Sequence, residues 1–429
     1  MRVKYEIRGS RIIFEIKPSE NEKTEFQQLK KMTSFYYKFD DKINLKCPHP
    51  DKLALVAILN LLPFTSDEMH IDWGVSASFE KGSKIITRIQ IKFKSSNFPE
   101  CQAYPAGLPS LAFSGGADST AALCVMPNVT DCVFHRRSEN PSKTLYDERA
   151  ALHSCKKISM LGYNVHIVES DFEYLREPIG FPTDLSVGTP AILLADTREY
   201  SSIAYGTILE SAYGTSGEKY RDYEKSSHYR LWNHLFSSAG LFYSLPIAGV
   251  SEIGSTLICR KKPLGKTHQS CIRGKWGSPC QNCWKCFRKS AIMSALDDGR
   301  KVSTFDYIGR IISSKEVGSK MLTSGPIKHE GVLTYCLERA GNPENELLDA
   351  LKKLVRVGII ETKWMEKWYK KSEGLIDPNY SDEVKQKLSK ILGTMTDEEE
   401  DCLIKWKNFD TPERGRILRS LDELIGARE

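Results

Sequence analysis

The sequence predicts an α/β protein centred on a doubly wound, mostly parallel sheet, with a small α+β unit before it and a helical region after it. Three observations predict this. From Ser110 onward strand-like and helix-like segments alternate, and the run Ser114-Gly115-Gly116-Ala117-Asp118-Ser119 sits where the first of these strands meets the first helix. Beyond about residue 300 the strand pattern fades and apolar residues recur at helical spacing. Alternation of this kind implies parallel strands covered by helices on both faces.

A chain of 429 residues has length for about three units, and the pattern divides it into residues 1–104, 105–300 and 301–429. Hydrophobic residues at 40% and charged residues at 27% exclude a disordered, collagen-like or coiled-coil chain. A net charge of +6 over the whole length is too dilute to imply a nucleic-acid partner. The longest apolar run, Leu53 to Phe64, is interrupted by Asn60 and falls short of the roughly 20 residues that a membrane-spanning helix needs. The opening stretch lacks the continuous apolar segment of a secretory signal, so a cytoplasmic protein without a membrane span is expected.

In chain order, Val3 to Lys17 alternates apolar and charged residues around a turn at Gly9-Ser10, the pattern of a hairpin. Leu53 to Phe64 reads as a buried helix, Ile85 to Phe93 as a strand, and Pro105-Ala106-Gly107 as a linker. The central unit begins with a strand at Leu111 to Phe113 and a helix at Ser119 to Val125, stopped by Pro127. A strand at Cys132 to His135 follows, then a helix whose face is marked by Leu145, Leu152, Cys155 and Ile158 and which ends at Gly162. Val165 to Val168 makes a third strand, Ala191 to Ala195 a helical run, and Ser202 to Leu209 another strand. In the last unit, Glu344 to Ile360 has helical periodicity, and Trp364 and Trp368 are spaced one helical turn apart, as residues that anchor helix packing.

Two features carry chemistry. The Gly115-Gly116 bend between strand and helix lets backbone amides approach an anion closely, and the helix dipole favours negative charge there. Its glycine spacing fits neither the dinucleotide fingerprint nor the lysine-containing Walker loop; Gly249 to Thr256 has the Walker spacing but places Ser255 where the lysine belongs. The second feature is Cys271, Cys280, Cys283 and Cys286, four of the twelve cysteines within sixteen positions. In a reducing compartment such a cluster binds metal more often than it forms disulfides, and four thiolates close a structural zinc tetrahedron, with an iron–sulfur cluster the competing occupant.

Ser114 to Ser119 resembles the signature of the PP-loop ATPases, the adenine nucleotide alpha hydrolase-like enzymes that cleave ATP between its α- and β-phosphates and adenylate a carbonyl or carboxyl oxygen. The cysteine spacing some 150 residues downstream is similar to that of one branch, the 7-cyano-7-deazaguanine synthases (QueC-like proteins), over roughly Ser110 to Ser290. The resemblance implies that Ser114, Gly115, Gly116, Ala117, Asp118 and Ser119 hold the triphosphate, with Ser114, Asp118 and Ser119 taking part in catalysis. ATP, Mg²⁺ and a structural Zn²⁺ are the implied cofactors, and a deazapurine carboxylate is the implied substrate. The lysine-bearing segment typical of that branch is replaced here by Gly249-Val250-Ser251-Glu252, which leaves Lys261, Lys262 and Lys266 as candidates for its role. With its flanking units the chain looks more like the QatC-type branch of antiviral defence systems, in which the amine acceptor would be a co-encoded protein rather than ammonia.

Further candidates have two readings each. His135 and Arg136 follow the second strand at the carboxyl edge, where doubly wound sheets place ligands, and read either as nucleotide contacts or as a solvated loop. Asp184 and Glu210 suit the amino and ring N–H donors of a purine-like substrate, Asp184 equally a helix cap; Tyr213 stacks on a base or fills the core. The leading functional expectation is an ATP-dependent, AMP- and pyrophosphate-forming C–N ligase. The alternatives are a PP-loop enzyme that modifies tRNA and a nucleotide-binding scaffold without activity.

Overall fold

The computed structural model describes residues 1–19, 32–139, 146–217, 219–297, 316–317, 327–339, 346–407 and 413–426. In chain order their strands are β1 (Arg2–Arg8), β2 (Arg11–Lys17), β3 (Ser34–Lys38), β4 (Glu68–Ser76), β5 (Gln90–Phe98), β6 (Leu108–Phe113), β7 (Asp131–Arg137), β8 (Val165–Ser170), β9 (Tyr200–Ala204) and β10 (Phe242–Ser244). All ten lie in one mixed sheet of order β10-β9-β6-β7-β8-β3-β2-β1-β4-β5.

The half β10-β9-β6-β7-β8 is parallel throughout. Its strands are short; β9 is buried along its whole length and β6 and β7 over most of theirs, as strands with both faces covered must be, whereas β8 is buried only at Val168 and Ser170. The chain runs outward from β6 to β7 and β8, then returns to place β9 on the other side of β6. The strand order therefore reverses beside β6, and the glycine turn follows the carboxyl end of that strand.

The other half grows from the expected hairpin. β1 and β2 pair antiparallel across a turn in which Gly9 has φ +57°, a left-handed conformation that glycine adopts without a steric penalty. β3 joins the halves: it is antiparallel to β2 and also to β8, through Tyr37–Ser170 and Lys38–Glu169. The Asp171 carboxylate accepts from the Tyr36 amide at 2.8 Å, and the Glu169 carboxylate accepts from the Tyr36 hydroxyl at 2.9 Å. The sheet thus runs on across the expected boundary at residue 104, with residues 1–104 supplying β1 to β5. The helix Pro50–Leu61 is buried on every side beyond its first residue, which explains why its sequence shows no polar face.

The described part of the last region is helical, at Glu330–Arg339, Glu346–Leu354, Ser381–Leu392, Asp397–Ile404 and Arg414–Gly426. It packs onto the parallel half. Helix Ser381–Leu392 lies against helices Ala117–Val125 and Glu252–Lys261, and the Lys387 ammonium donates to the Met126 carbonyl at 2.7 Å. Trp364 and Trp368 are buried, but they do not share a helix: Trp364 lies in a 3₁₀ turn, and Trp368 makes backbone bridges to Val250 and Thr394. Of the sequence expectations, Leu145 and Glu344 lie outside the described residues.

Candidate functional site

The glycine turn is held from several directions. Gly115 has φ +72°, a left-handed conformation that favours glycine, and a Cβ there would be tight, 3.1 Å from the Ala151 backbone. The Ser119 hydroxyl takes the Ser114 amide at 3.2 Å and lies 3.0 Å from the Ser114 hydroxyl, while Gly116 caps helix Ala117–Val125. Just beyond β9, Gly206 passes so close that a Cβ would stand 2.7 Å from the Ser119 amide nitrogen. The Ala117 amide, at the first turn of the helix, donates to the Ser270 hydroxyl at 3.2 Å, and the Gln269 amide donates to the Gly115 carbonyl at 3.0 Å. Thus the segment leading into Cys271 is docked on the turn.

Behind the turn lies a buried network of charges. Asp118 accepts from the Ser255 hydroxyl at 2.9 Å and lies 3.3 Å from the Lys289 ammonium, which is also 3.1 Å from Glu252. Arg288 forks onto both oxygens of Glu252 at 3.1 and 3.2 Å, and His329 Nδ1 is 3.6 Å away. Burial alone would raise the Glu252 carboxyl, but Lys289 and Arg288 outweigh it and hold the group well below the usual carboxylate range. Burial alone would discharge Lys289; Asp118 and Glu252 reverse that and raise its pKa. His329 goes the other way, its pKa pushed by burial down to about 4, so its ring stays neutral.

The four cysteine sulfurs lie within 4.8 Å of one another. A tetrahedral zinc with Zn–S bonds of 2.3 Å separates its sulfurs by about 3.8 Å, and Cys280 and Cys286 Sγ are 3.8 Å apart. The Cys280 amide points at Cys271 Sγ and the Cys286 amide at Cys283 Sγ, at 3.3 and 3.4 Å. This buried set could hold a metal ion such as zinc. Gln269 braces its loop, donating to the Gly274 and Lys275 carbonyls and accepting from the Gly277 amide at 2.8 Å, and Trp276 stacks on His153 at 4.4 Å.

Of the other sequence candidates, Glu210 alone adjoins the network behind this turn. His135 is buried against Phe172 and Phe181, and burial pushes its pKa down to about 4; Arg136 is forked onto Glu148 at 3.0 and 2.8 Å. Both stand on the strand next to β6, engaged within the protein. Asp184 is at the surface, 3.2 Å from His228. Glu210 is buried, with both oxygens 3.0 Å from the Glu252 amide, and burial followed by the Glu252 charge pushes its pKa up to about 8. Tyr213 is in the core among Tyr220, Tyr223 and Tyr369. Lys261 donates to the Ile391 carbonyl at 2.7 Å.

Sequence reasoning missed Lys289, Arg288, Glu252 and Ser270 as neighbours of the turn. Ser255 had been set aside with a chance Walker spacing. The available signal for the lysine was its position three residues after the last cysteine, since one helix, Trp284–Leu296, carries both.

Residues 231–407 match the profile of a family of unknown function (DUF6395), a span that covers less than half of the chain. No curated protein and no solved structure matches. The match takes in the cysteine cluster, Glu252, Arg288, Lys289 and His329 and leaves the glycine turn outside it.

Proposed function

We propose that the chain is an ATP-dependent adenylating ligase, working as the resemblance to the PP-loop enzymes implies. The observation that carries the reading is the Gly115-Gly116 bend at the carboxyl end of β6, beside the reversal of strand order and at a helix N-terminus lined by the hydroxyls of Ser114 and Ser119. Open parallel sheets bind ligands at that place, and a helix start favours phosphate. The strand order 5-4-1-2-3, counted within the parallel half, supports a doubly wound nucleotide-binding fold.

In this reading an oxygen of the substrate carboxylate attacks the α-phosphorus of ATP. The bond from that phosphorus to the oxygen bridging towards the β-phosphate breaks, and pyrophosphate leaves with the electron pair. The amine nitrogen then attacks the acyl carbon, AMP leaves with the electrons of the acyl–oxygen bond, and the amine releases a proton to solvent, giving an amide. No enzyme nucleophile is required; positioning and neutralisation of charge supply the acceleration. Mg²⁺, when bound, would neutralise the polyphosphate, and in this reading Asp118, the partly exposed carboxylate of the turn, would hold it. Zinc, if held by the four thiolates, would be left no open position and would serve structure. The substrate acid is 7-carboxy-7-deazaguanine or a close relative, and the acceptor is ammonia or an amine of a co-encoded partner in cytoplasmic antiviral defence.

The test is release of AMP and pyrophosphate from ATP in the presence of the deazaguanine acid. Asp118→Ala is expected to lower it at least 100-fold with an unchanged metal content. Undiminished turnover would remove the turn from the mechanism, and an absence of AMP formation with the intact protein would overturn the ligase reading.

A further inference from the structure

A second group of metal-ligating side chains, separate from the four clustered cysteines, lies where the start of helix Pro50–Leu61 meets the segment between β5 and β6. His49, Asp51 and Cys101 each present one donor atom, and the three atoms lie within 4.8 Å of one another. The His49 ring has a defined tautomer. Its Nε2 is 3.1 Å from the Pro99 carbonyl, which can only accept, so that nitrogen carries the proton. Nδ1 is therefore bare, taking only a long hydrogen bond from the Asp51 amide at 3.2 Å. A bare nitrogen on one side of the ring and a carbonyl behind the other is the arrangement that orients a ligating histidine. The Asp51 carboxylate is fixed in the same manner, accepting from the Ser76 amide at 2.8 Å and from the Ser76 hydroxyl at 2.7 Å. Its Oδ2 stands 3.5 Å from Nδ1, so two lone-pair-bearing atoms face each other. Nitrogen and oxygen ligands of one tetrahedral zinc ion stand about 3.4 Å apart.

We propose that His49 Nδ1, Asp51 and Cys101 bind a second divalent transition-metal ion, of the zinc class, with one coordination position left for water. The charges balance: a carboxylate, a thiolate and a neutral imidazole bring two negative charges to an ion with two positive ones. Sulfur, nitrogen and oxygen together select zinc over magnesium or calcium. Asp51 sits in the first turn of its helix, where the dipole favours the ionised form that a ligand needs. The Lys52 ammonium lies 3.3 Å from Cys101 Sγ, but Asp196 matches its charge at 2.6 Å, so it opposes the ion weakly and serves the thiolate as an outer hydrogen-bond donor. Asp51 is buried while His49 and Cys101 are partly exposed, which lets an ion enter from solvent and exchange. The site joins the helix start to the segment that leads into β6, the strand that ends at the glycine turn. A metal there would fix the course of that segment, and nothing in the assignment depends on the nucleotide reading.

Metal analysis of the full chain, stripped with a chelator and reloaded with zinc alone, tests this. Cys101→Ala is expected to hold one equivalent of zinc fewer than the parent, and His49→Gln to bind that equivalent at least tenfold more weakly. Excess magnesium is expected to leave it in place. Equal zinc content in the parent and in Cys101→Ala overturns the assignment, and so does displacement by magnesium, which would mark a site of oxygen ligands. A lost equivalent accompanied by exposure of Cys283 to alkylation also overturns it, by tracing the loss to the four-cysteine cluster. Should the variants not fold, zinc is expected to slow alkylation of Cys101 in the unaltered protein at least tenfold, read by peptide mass spectrometry, and to leave the exposed Cys402 unaffected. An unchanged rate at Cys101 defeats the proposal.

Discussion

The parallel half of the sheet carries a buried carboxylate network at each end of its strands, and the two differ in one respect. At the amino ends, Asp131 opens β7 and receives Asn164, His166, Arg198 and Tyr200 at 2.9 to 3.1 Å. At the carboxyl ends, Asp118 and Glu252 share Lys289 beside a cavity. Both contain displaced pKa values and short ion pairs, so neither property separates structure from function. What separates them is saturation: the donors around Asp131 come from β8, β9 and their flanks and close the network, whereas Lys289 is shared between two acids and borders open space. The closed network around Asp131 ties strands together, whereas at the carboxyl ends one member of the network, Lys289, faces a cavity.

The largest effect that would sharpen this contrast is expected at Asp131. Its side chain is fully buried, and burial alone would raise its pKa; the hydrogen bonds from His166 and Arg198 win and lower it to about 2. Removing one partner of such a network leaves the others buried and unpaired, so Asp131→Ala is expected to cost about 3 kcal/mol in urea unfolding and to leave ATP affinity unchanged under conditions where the variant is folded. Because the native pKa lies below the unfolded value of about 3.9, this stabilisation is complete above that value and disappears as pH falls through about 2. An Asp131 variant of normal stability but weakened nucleotide binding would invert the assignment of the two ends.

A smaller effect is expected at Glu210, where the sign reverses. Its native pKa of about 8 lies above the ordinary carboxyl value because the group is buried beside Glu252. The folded state therefore holds a proton that the unfolded chain gives up, and stability declines as pH rises from about 4.5 through 8. Glu210→Gln removes this titration and keeps an oxygen to accept from the Glu252 amide. The variant is expected to match the parent near pH 5 and to exceed it at pH 9 by more than about 1 kcal/mol, the equivalent of one pKa unit. Parallel melting curves at the two pH values would show that Glu210 ionises as a solvated acid does.

The sequence made the hairpin, the apolar helix and the alternating strands readable because each carries its own periodicity. The turn was readable because two adjacent glycines between strand and helix have few other uses, and the cysteines because their spacing is dense. The seam was not: β3 spans only five residues, and its pairing with β8 joins positions more than 130 residues apart. Separate units were therefore expected where one sheet exists. Lys289 was hidden for a similar reason, since nothing local ties it to Asp118, 171 positions away. Its approach follows from the metal loop docking on the turn through Gln269 and Ser270. Long-range partners of this kind leave a trace in topology and none in local pattern.

Asp184 provides the finest test, because its carboxylate suits a purine-like edge as well as a helix cap and the structure places it at neither network. Its side chain is 67% exposed and meets only a partly exposed His228, a surface pair of the kind that contributes little. Asp184→Ala is accordingly expected to change stability by less than about 0.5 kcal/mol. If the carboxylate nevertheless reads a purine-like edge, the same variant raises KM for the acid while KM for ATP and the metal content stay fixed, a split that no loss of folding produces. If both KM values are unchanged, the proposed substrate recognition belongs to residues nearer the turn, and the contrast between the two ends of the strands becomes sharper.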